Sequence, residues 1–495
     1  MELFRDKLTQ FVNSINSTAQ SGVIYDTAIL GALSDKMQFP IFPRLVRSVL
    51  DRQYEDGSWG APYYQPYDRL LSTTASLYMI TELNLQDNNV IDDIFAHGIS
   101  WIEEHEKACL DSDYPIPVAF EFLYPKLITS VMQNTSLLNV SLHGLAKHRE
   151  QKLARVGEML YTQPTPLFFS MEGIVESKED AEQLAKFQTK NGSLGASPSS
   201  TSIFLRYRVK SAMQAARRYV DKMITPGGLV KHFGGYQYMN AAFSMYPLFK
   251  SGYQFTGEAL SARYLLDTTW GDWGISFGPS FPVPDADDTA VGIYALNRYG
   301  ERIDDKLNIL LKYEREDHFA SYPFEQVPAL MTNMHIYDLF KTVPHAESDR
   351  ITEKIEAYLR NNIKDKPELN SKYNASPYYH YGNILLAISR TLPELAKYYK
   401  ETLITRLMRH VDSSGWASIN SEEMAHALLG LLFYQKHRGD VDKTLIETLH
   451  THLMDRTDQT TQLEETYTWT SKVQYHPQQM AASQIYGSHF LYMNR

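Results

Sequence analysis

An all-α fold of stacked helical hairpins is predicted by two recurring patterns and one scarcity. Apolar residues recur at helical spacing, as at Phe4, Leu8, Phe11, Val12 and Ile15 early in the chain and Ala425, Leu428, Leu429 and Leu432 late in it. Short turns rich in Gly, Pro, Asn and Asp separate such segments. Alternating strand patterns with hairpin signals are scarce.

The turns themselves repeat. Asp56-Gly57-Ser58-Trp59-Gly60, Asn191-Gly192-Ser193-Leu194-Gly195 and Ser413-Ser414-Gly415-Trp416-Ala417 each place a small turn residue and a glycine before an apolar anchor. Gly271-Asp272-Trp273-Gly274 is a looser copy. Glycine permits the tight turn, and the anchor pins it onto adjacent helices. Four coincidental turns among 26 Gly is the alternative, but each copy lies between helical patterns, as stacked hairpins require. The turn-rich stretch 189–202 is the best break in the chain, which places a boundary near 205.

Length and composition bound the rest. At about 100–200 residues per domain, 495 residues predict two or three domains. The formal charge of 48 − 58 = −10 argues against a nucleic-acid partner, which needs a basic face. A single cysteine, Cys109, excludes an intramolecular disulfide framework and fits a reducing compartment. The charged start Met-Glu-Leu-Phe-Arg-Asp-Lys does not resemble a signal peptide, and the longest apolar stretch, near Ala427–Tyr434, is far shorter than a membrane span. A soluble, cytoplasmic protein is expected, as a monomer or homodimer.

The chemistry concentrates in Asp285-Ala286-Asp287-Asp288-Thr289-Ala290, which precedes the apolar run Val291–Leu296. Crowded carboxyls in a poorly hydrated site cannot all ionise, so one keeps its proton near neutrality. Asp287 is assigned as the acid, with Asp285 and Asp288 supporting it. A helix cap or a divalent-cation site are the competing readings of the same aspartates.

Six collinear segments carry a family resemblance. Asp285–Ala290 resembles the DxDD-T-A signature of class II terpene cyclases. Asp56–Gly60 with Asp68-Arg69-Leu70 resembles DGSWG…DRL, and Phe120–Ile128 resembles the GFE…FPxLI run. Pro164–Gly173 is similar to PTxLxxSxEG, Gly192-Ser193 with Ser197–Thr201 to DGS…SPSST, and Trp469–Tyr475 to WxxKxxY. The resemblance implies two α/α-barrel domains, called β and γ, with the active site between them. Residues 1–18 would be the first β-domain helix, 19–205 the inserted γ domain and 206–495 the rest of the β domain.

It also implies a reaction: protonation-initiated cyclisation of geranylgeranyl diphosphate to a bicyclic C20 diphosphate. The aspartate-rich DDxxD motif that ionises diphosphates is missing, so the diphosphate is expected to survive. Lys152, near His148-Arg149 and Arg155, matches the family's phosphate-binding lysine, and Lys472 is a second candidate. Asp111 and Asp113 are a thin version of an acidic run associated with Mg²⁺. Trp270, Trp273, Phe277, Phe281 and Tyr475 are candidates to face a carbocation. Phe169 stands where ent-copalyl-forming members carry a histidine base, and the region 227–232 lacks that base's Asn partner. A rearranged halimane or clerodane skeleton is therefore expected, with His335, paired with Tyr475, as a late base. The rival readings are a drimenyl diphosphate synthase acting on farnesyl diphosphate, an α/α-barrel glycosidase, and a non-catalytic helical-repeat interaction protein. A downstream terpene synthase or phosphatase is the expected partner.

Overall fold

The computed structural model describes residues 2–33, 42–85, 89–135, 137–138, 140–255, 260–362, 364, 366, 369, 371–458 and 463–495. Among these, the regular structure is almost entirely helical; the sheet content is two antiparallel ladders of two residues per strand, Gly22–Val23 with Val230–Lys231 and Trp469–Thr470 with Gln474–Tyr475. The all-α expectation holds. No helix among the described residues is long and apolar enough to cross a membrane.

One group of helices packs around Pro66–Glu82, which contacts Ile24–Gly31, Asn89–Leu110 and Phe120–Asn134. A second group is built on Gln237–Ser251, Ala286–Arg298, Leu330–Thr342, Pro377–Ile388, Ser421–Arg438 and Gln478–Met493. Several of these helices are buried on every side: all twelve residues of Pro377–Ile388 are core, as are Asn240–Ser251. A helix buried around its whole circumference must be an interior wall rather than a surface layer. The first helix, Glu2–Asn13, packs on the last, Gln478–Met493, and Asn240 Nδ2 donates to the Ile15 and Ser17 carbonyls just beyond it, at 2.7 and 3.0 Å.

Two of the repeated turns, at 56–60 and 191–195, have one construction; the Ser413–Ala417 copy does not share it, since Gly415 ends the helix Pro393–Ser414 with open space beside it. Gln53 Nε2 donates to the Gly57 carbonyl at 2.8 Å, and Gln188 Nε2 does the same to Gly192 at 2.8 Å. Asp56 and Asn191 each accept from the amide two residues on, at 2.9 Å. The Trp59 and Leu194 amides then donate to Thr73 and Thr201 of the following helices, both at 2.9 Å. Gly57 and Gly192 have φ of 88° and 96°, and a Cβ at either would strike the carbonyl of His97 or Ala215. Glycine is therefore required at both. The looser copy obeys the same rule: the Ile275 amide donates to Thr289 at 3.1 Å. That threonine belongs to the acidic motif, so the structural repeat also anchors the chemistry.

Candidate active site

Asp285 caps the helix Ala286–Arg298, accepting from the Asp288 amide at 2.8 Å. Two further backbone bonds hold the entry: the Asp285 amide donates to Ile275 at 3.1 Å and the Ala286 amide to Ser321 at 2.9 Å. Cap and acid, alternatives in the sequence, fall on different aspartates. Asp285 and Asp288 are buried against each other. Burial pushes Asp285 up to about 7, the nearby Asp287 charge adding to it against its hydrogen bonds from Asp288. Burial and the Asp285 charge push Asp288 well above the ordinary carboxylate range. The pair holds a proton at neutral pH, as crowded carboxyls in a dry site must.

Asp287 leaves that pair and turns toward a cavity. Its Oδ1 lies 2.6 Å from His335 Nδ1 on the helix Leu330–Thr342. The imidazole is clamped edge-on by Phe243 at 5.5 Å and Tyr246 at 5.2 Å, and Tyr246 is itself held by Asp338 at 2.9 Å. The sequence reading of His335 as a late base beside Tyr475 needs correction. Tyr475 stands elsewhere, against Phe233 at 4.9 Å and His232 at 5.6 Å, and His335 serves Asp287.

The cavity has a volume of about 510 Å³, within the range of small-molecule sites. Asp285, Asp287 and Asp288 border it, as do Phe169, Phe277, Phe281 and Tyr475. Phe277 and Phe281 stack at 4.3 Å, and Phe169 meets them edge-on at 6.4 and 6.5 Å. Wall aromatics that escaped the sequence reading include Phe233, Phe243, Tyr322, Tyr373, Tyr379 and Trp469. Trp469 opens the WxxKxxY run, so a signal for it existed. Trp270 and Trp273 do not border the cavity. Trp273 is 38% exposed against Tyr313, and Trp270 lies beneath Lys306 and near Gly292, behind the motif helix. Both anchor the turn before the motif, which is the job of the repeat's aromatic.

Basic residues border the same cavity where its walls become exposed. Lys152 is 39% exposed and paired with Glu121 at 2.5 Å; Arg155 is exposed; Lys372 pairs with Glu325 at 3.4 Å. Arg149 instead pairs with Glu176 at 2.6 Å. Lys472 also departs from expectation. It is wholly buried and donates to Glu172, Ser197, Ser199 and the Phe169 carbonyl at 2.6–2.9 Å. With every ammonium hydrogen engaged, it has none for a diphosphate. Behind Phe169 this cluster extends to Asp26 and His232, joined at 2.6 Å. Asp111 and Asp113 are exposed, and among the described residues no three His, Cys, Asp or Glu side chains converge as metal ligands.

No family model matches the chain. It is 27% identical over 382 residues to the syn-copalyl diphosphate synthase of Oryza sativa subsp. japonica, an alignment covering 73% of this chain and 47% of that protein. It is 29% identical over 357 residues to a bifunctional levopimaradiene synthase of Pinus contorta, covering 69% and 40%. The chain thus spans less than half the length of these relatives. Among solved structures, it superposes on the ent-copalyl diphosphate synthase of Streptomyces platensis with a TM-score of 0.81, 20% identity and 99% of both chains covered. The ent-copalyl diphosphate synthase of Arabidopsis thaliana, in complex with (S)-15-aza-14,15-dihydrogeranylgeranyl thiolodiphosphate, gives 0.68 and 20% identity, with 99% of this chain and 63% of that one covered. The fold is the α/α-barrel fold of the class II terpene cyclases. By sequence and by fold, the chain is homologous to the copalyl diphosphate synthases, which are class II diterpene cyclases.

Proposed function

We propose that this chain is a class II diterpene cyclase that converts geranylgeranyl diphosphate into a bicyclic C20 diphosphate, in a cavity between a γ domain (19–205) and a β domain. One observation carries the reading: Asp287, clamped by His335, opens into an aromatic cavity whose exposed rim carries Lys152 and Arg155. In this reading Asp287 accepts the His335 Nδ1–H on one oxygen and delivers the initiating proton from the other. The Asp287 O–H bond breaks as the terminal alkene's π pair takes that proton, leaving a tertiary cation. Imidazole stabilises the carboxylate so formed. The next two alkenes close two rings, the alkene beside the diphosphate is left intact, and a proton lost from carbon leaves the product isomeric with the substrate.

No step cleaves the diphosphate. Lys152 and Arg155 hold it, with Mg²⁺ entering as the diphosphate's counter-ion and no protein ligand assigned. Excluding water matters because a water molecule would capture the cation as an alcohol. Phe169 places no base in the wall, which supports a rearranged halimane- or clerodane-type product. The aza analogue bound by the Arabidopsis relative supports a C20 chain over the C15 chain of farnesyl diphosphate.

The test is incubation of the protein with C15 and C20 prenyl diphosphates and Mg²⁺, then dephosphorylation and gas chromatography–mass spectrometry. A bicyclic C20 alcohol recovered only after phosphatase treatment is expected. Release of free hydrocarbon, or turnover of C15 alone, would overturn the proposal.

A further inference from the structure

Among the described residues, Trp469 is the single indole on the cavity wall. Its ring lies edge-on to Tyr379 at 5.3 Å and to Phe243 at 6.0 Å, and Phe243 is the ring that clamps His335. Trp469 therefore belongs to the acid's end of the cavity, where the first cation forms. Its N–H donates to Glu422 Oε1 at 2.8 Å.

Glu422 is an unusual occupant of that position. It is fully buried and does not border the cavity. Its other oxygen accepts from Thr468 Oγ1 at 2.9 Å and from Thr466 Oγ1. His426 Nε2 stands 3.8 Å from Oε1, and among the described residues no lysine or arginine pairs with Glu422. The capping box of the helix Ser421–Arg438 uses Asn420 and Glu423, so Glu422 is not needed as the cap. Burying a carboxylate is costly, and a neutral residue would fill the space more cheaply. Burial raises its pKa, but His426 and the Thr466 hydroxyl outweigh that and leave it at about 2.

We infer that Glu422 is a positioning residue for the carbocation, acting through Trp469. The deduction rests on the cyclase reading above. A carboxylate on the indole N–H fixes the plane of the ring and pushes electron density onto its face, and that face attracts cations. Placement behind the ring matters chemically. A carboxylate inside the cavity would attack the cation and form an ester, whereas one shielded by an indole acts on it without bonding.

The test compares two ligands of one shape: a prenyl diphosphate analogue with a tertiary ammonium at the cationic carbon, and its uncharged carbon isostere. Affinities are measured by calorimetry for wild type, Glu422→Gln, Trp469→Phe and the double variant. Gln can still accept the indole hydrogen bond, so its side chain removes the charge and little else. Glu422→Gln is expected to weaken the ammonium ligand about five- to tenfold and the isostere less than about twofold. The double variant should lose no more than Trp469→Phe, because the effect passes through the ring. Equal loss for both ligands, or none, overturns the inference. Should Glu422→Gln fail to fold, Trp469→Phe decides by the same ratio. If wild type binds neither ligand, it is the cyclase reading that fails.

Discussion

Two sets of carboxyls, one bordering the cavity and one behind its wall, are both buried and titrate in opposite directions. Asp285 and Asp288 face each other, and burial, with the Asp287 charge acting on Asp285 and the Asp285 charge on Asp288, drives them toward the neutral form. Glu422 receives an indole N–H, two threonine hydroxyls and the nearby His426 imidazole, and remains an anion. Burial sets the stakes, and the donors decide the outcome. One cavity can therefore have a proton in store at its surface and a fixed negative charge behind its wall.

The largest expected effect comes from removing the acid. Asp287→Asn should lower kcat by at least about 10³-fold while leaving the circular dichroism spectrum and Tm unchanged. Near-normal turnover in that variant would remove any distinction between this carboxyl and its neighbours.

Next comes the buried charge that does not face the cavity. Lys472→Ala strands Glu172 among Tyr25, Ser197 and Ser199 and should cost about 3–5 kcal/mol in urea unfolding. Lys152→Ala, at the exposed rim, should instead raise KM several-fold with unchanged stability, because exposed pairs contribute at most about 1 kcal/mol. The opposite pattern would exchange the two lysines' roles.

His335→Ala should reduce kcat by about 10²-fold, with KM nearly constant, since the imidazole stabilises the carboxylate left after proton transfer. A change in product identity with full rate would return His335 to the role of late base.

The smallest effect is on pH dependence. The folded-state value of Asp285, about 7, lies above the ordinary value of about 3.9, so Asp285 is neutral at lower pH and ionises as pH rises through about 7, while Asp288, pushed well above the ordinary range, keeps its proton. The extra charge beside Asp287 should then depress kcat, giving a falling limb centred near 7. Asp288→Asn, which cannot ionise, should shift or abolish that limb while changing the plateau by about tenfold or less. A limb that stays in place would assign it to another group.

How much of this was legible beforehand varies residue by residue. The helices were legible because apolar residues at i+3 and i+4 report a buried face wherever that face lies. The Gly turns were legible because positive φ and a closely approaching carbonyl admit only glycine at Gly57 and Gly192. Asp287 was legible because three acids in four residues carry their own electrostatics. Trp270 and Trp273 misled because an anchor of a turn and a wall of a cavity have the same composition. Glu422 was invisible because a Glu in a first helical turn ordinarily signals a cap.

The sequence by itself determined the helical architecture, the repeated turns and the acidic motif, all of which depend on neighbours a few residues away. The tertiary structure decided which aspartate stands apart from the buried pair, that His335 from 48 residues later clamps it, and that Lys472 is consumed by partners about 300 residues distant. Those assignments depend on which side chains meet across the barrel walls, because a charge or a hydrogen-bond donor acts through space over a few ångströms, and spacing along the chain does not encode that distance.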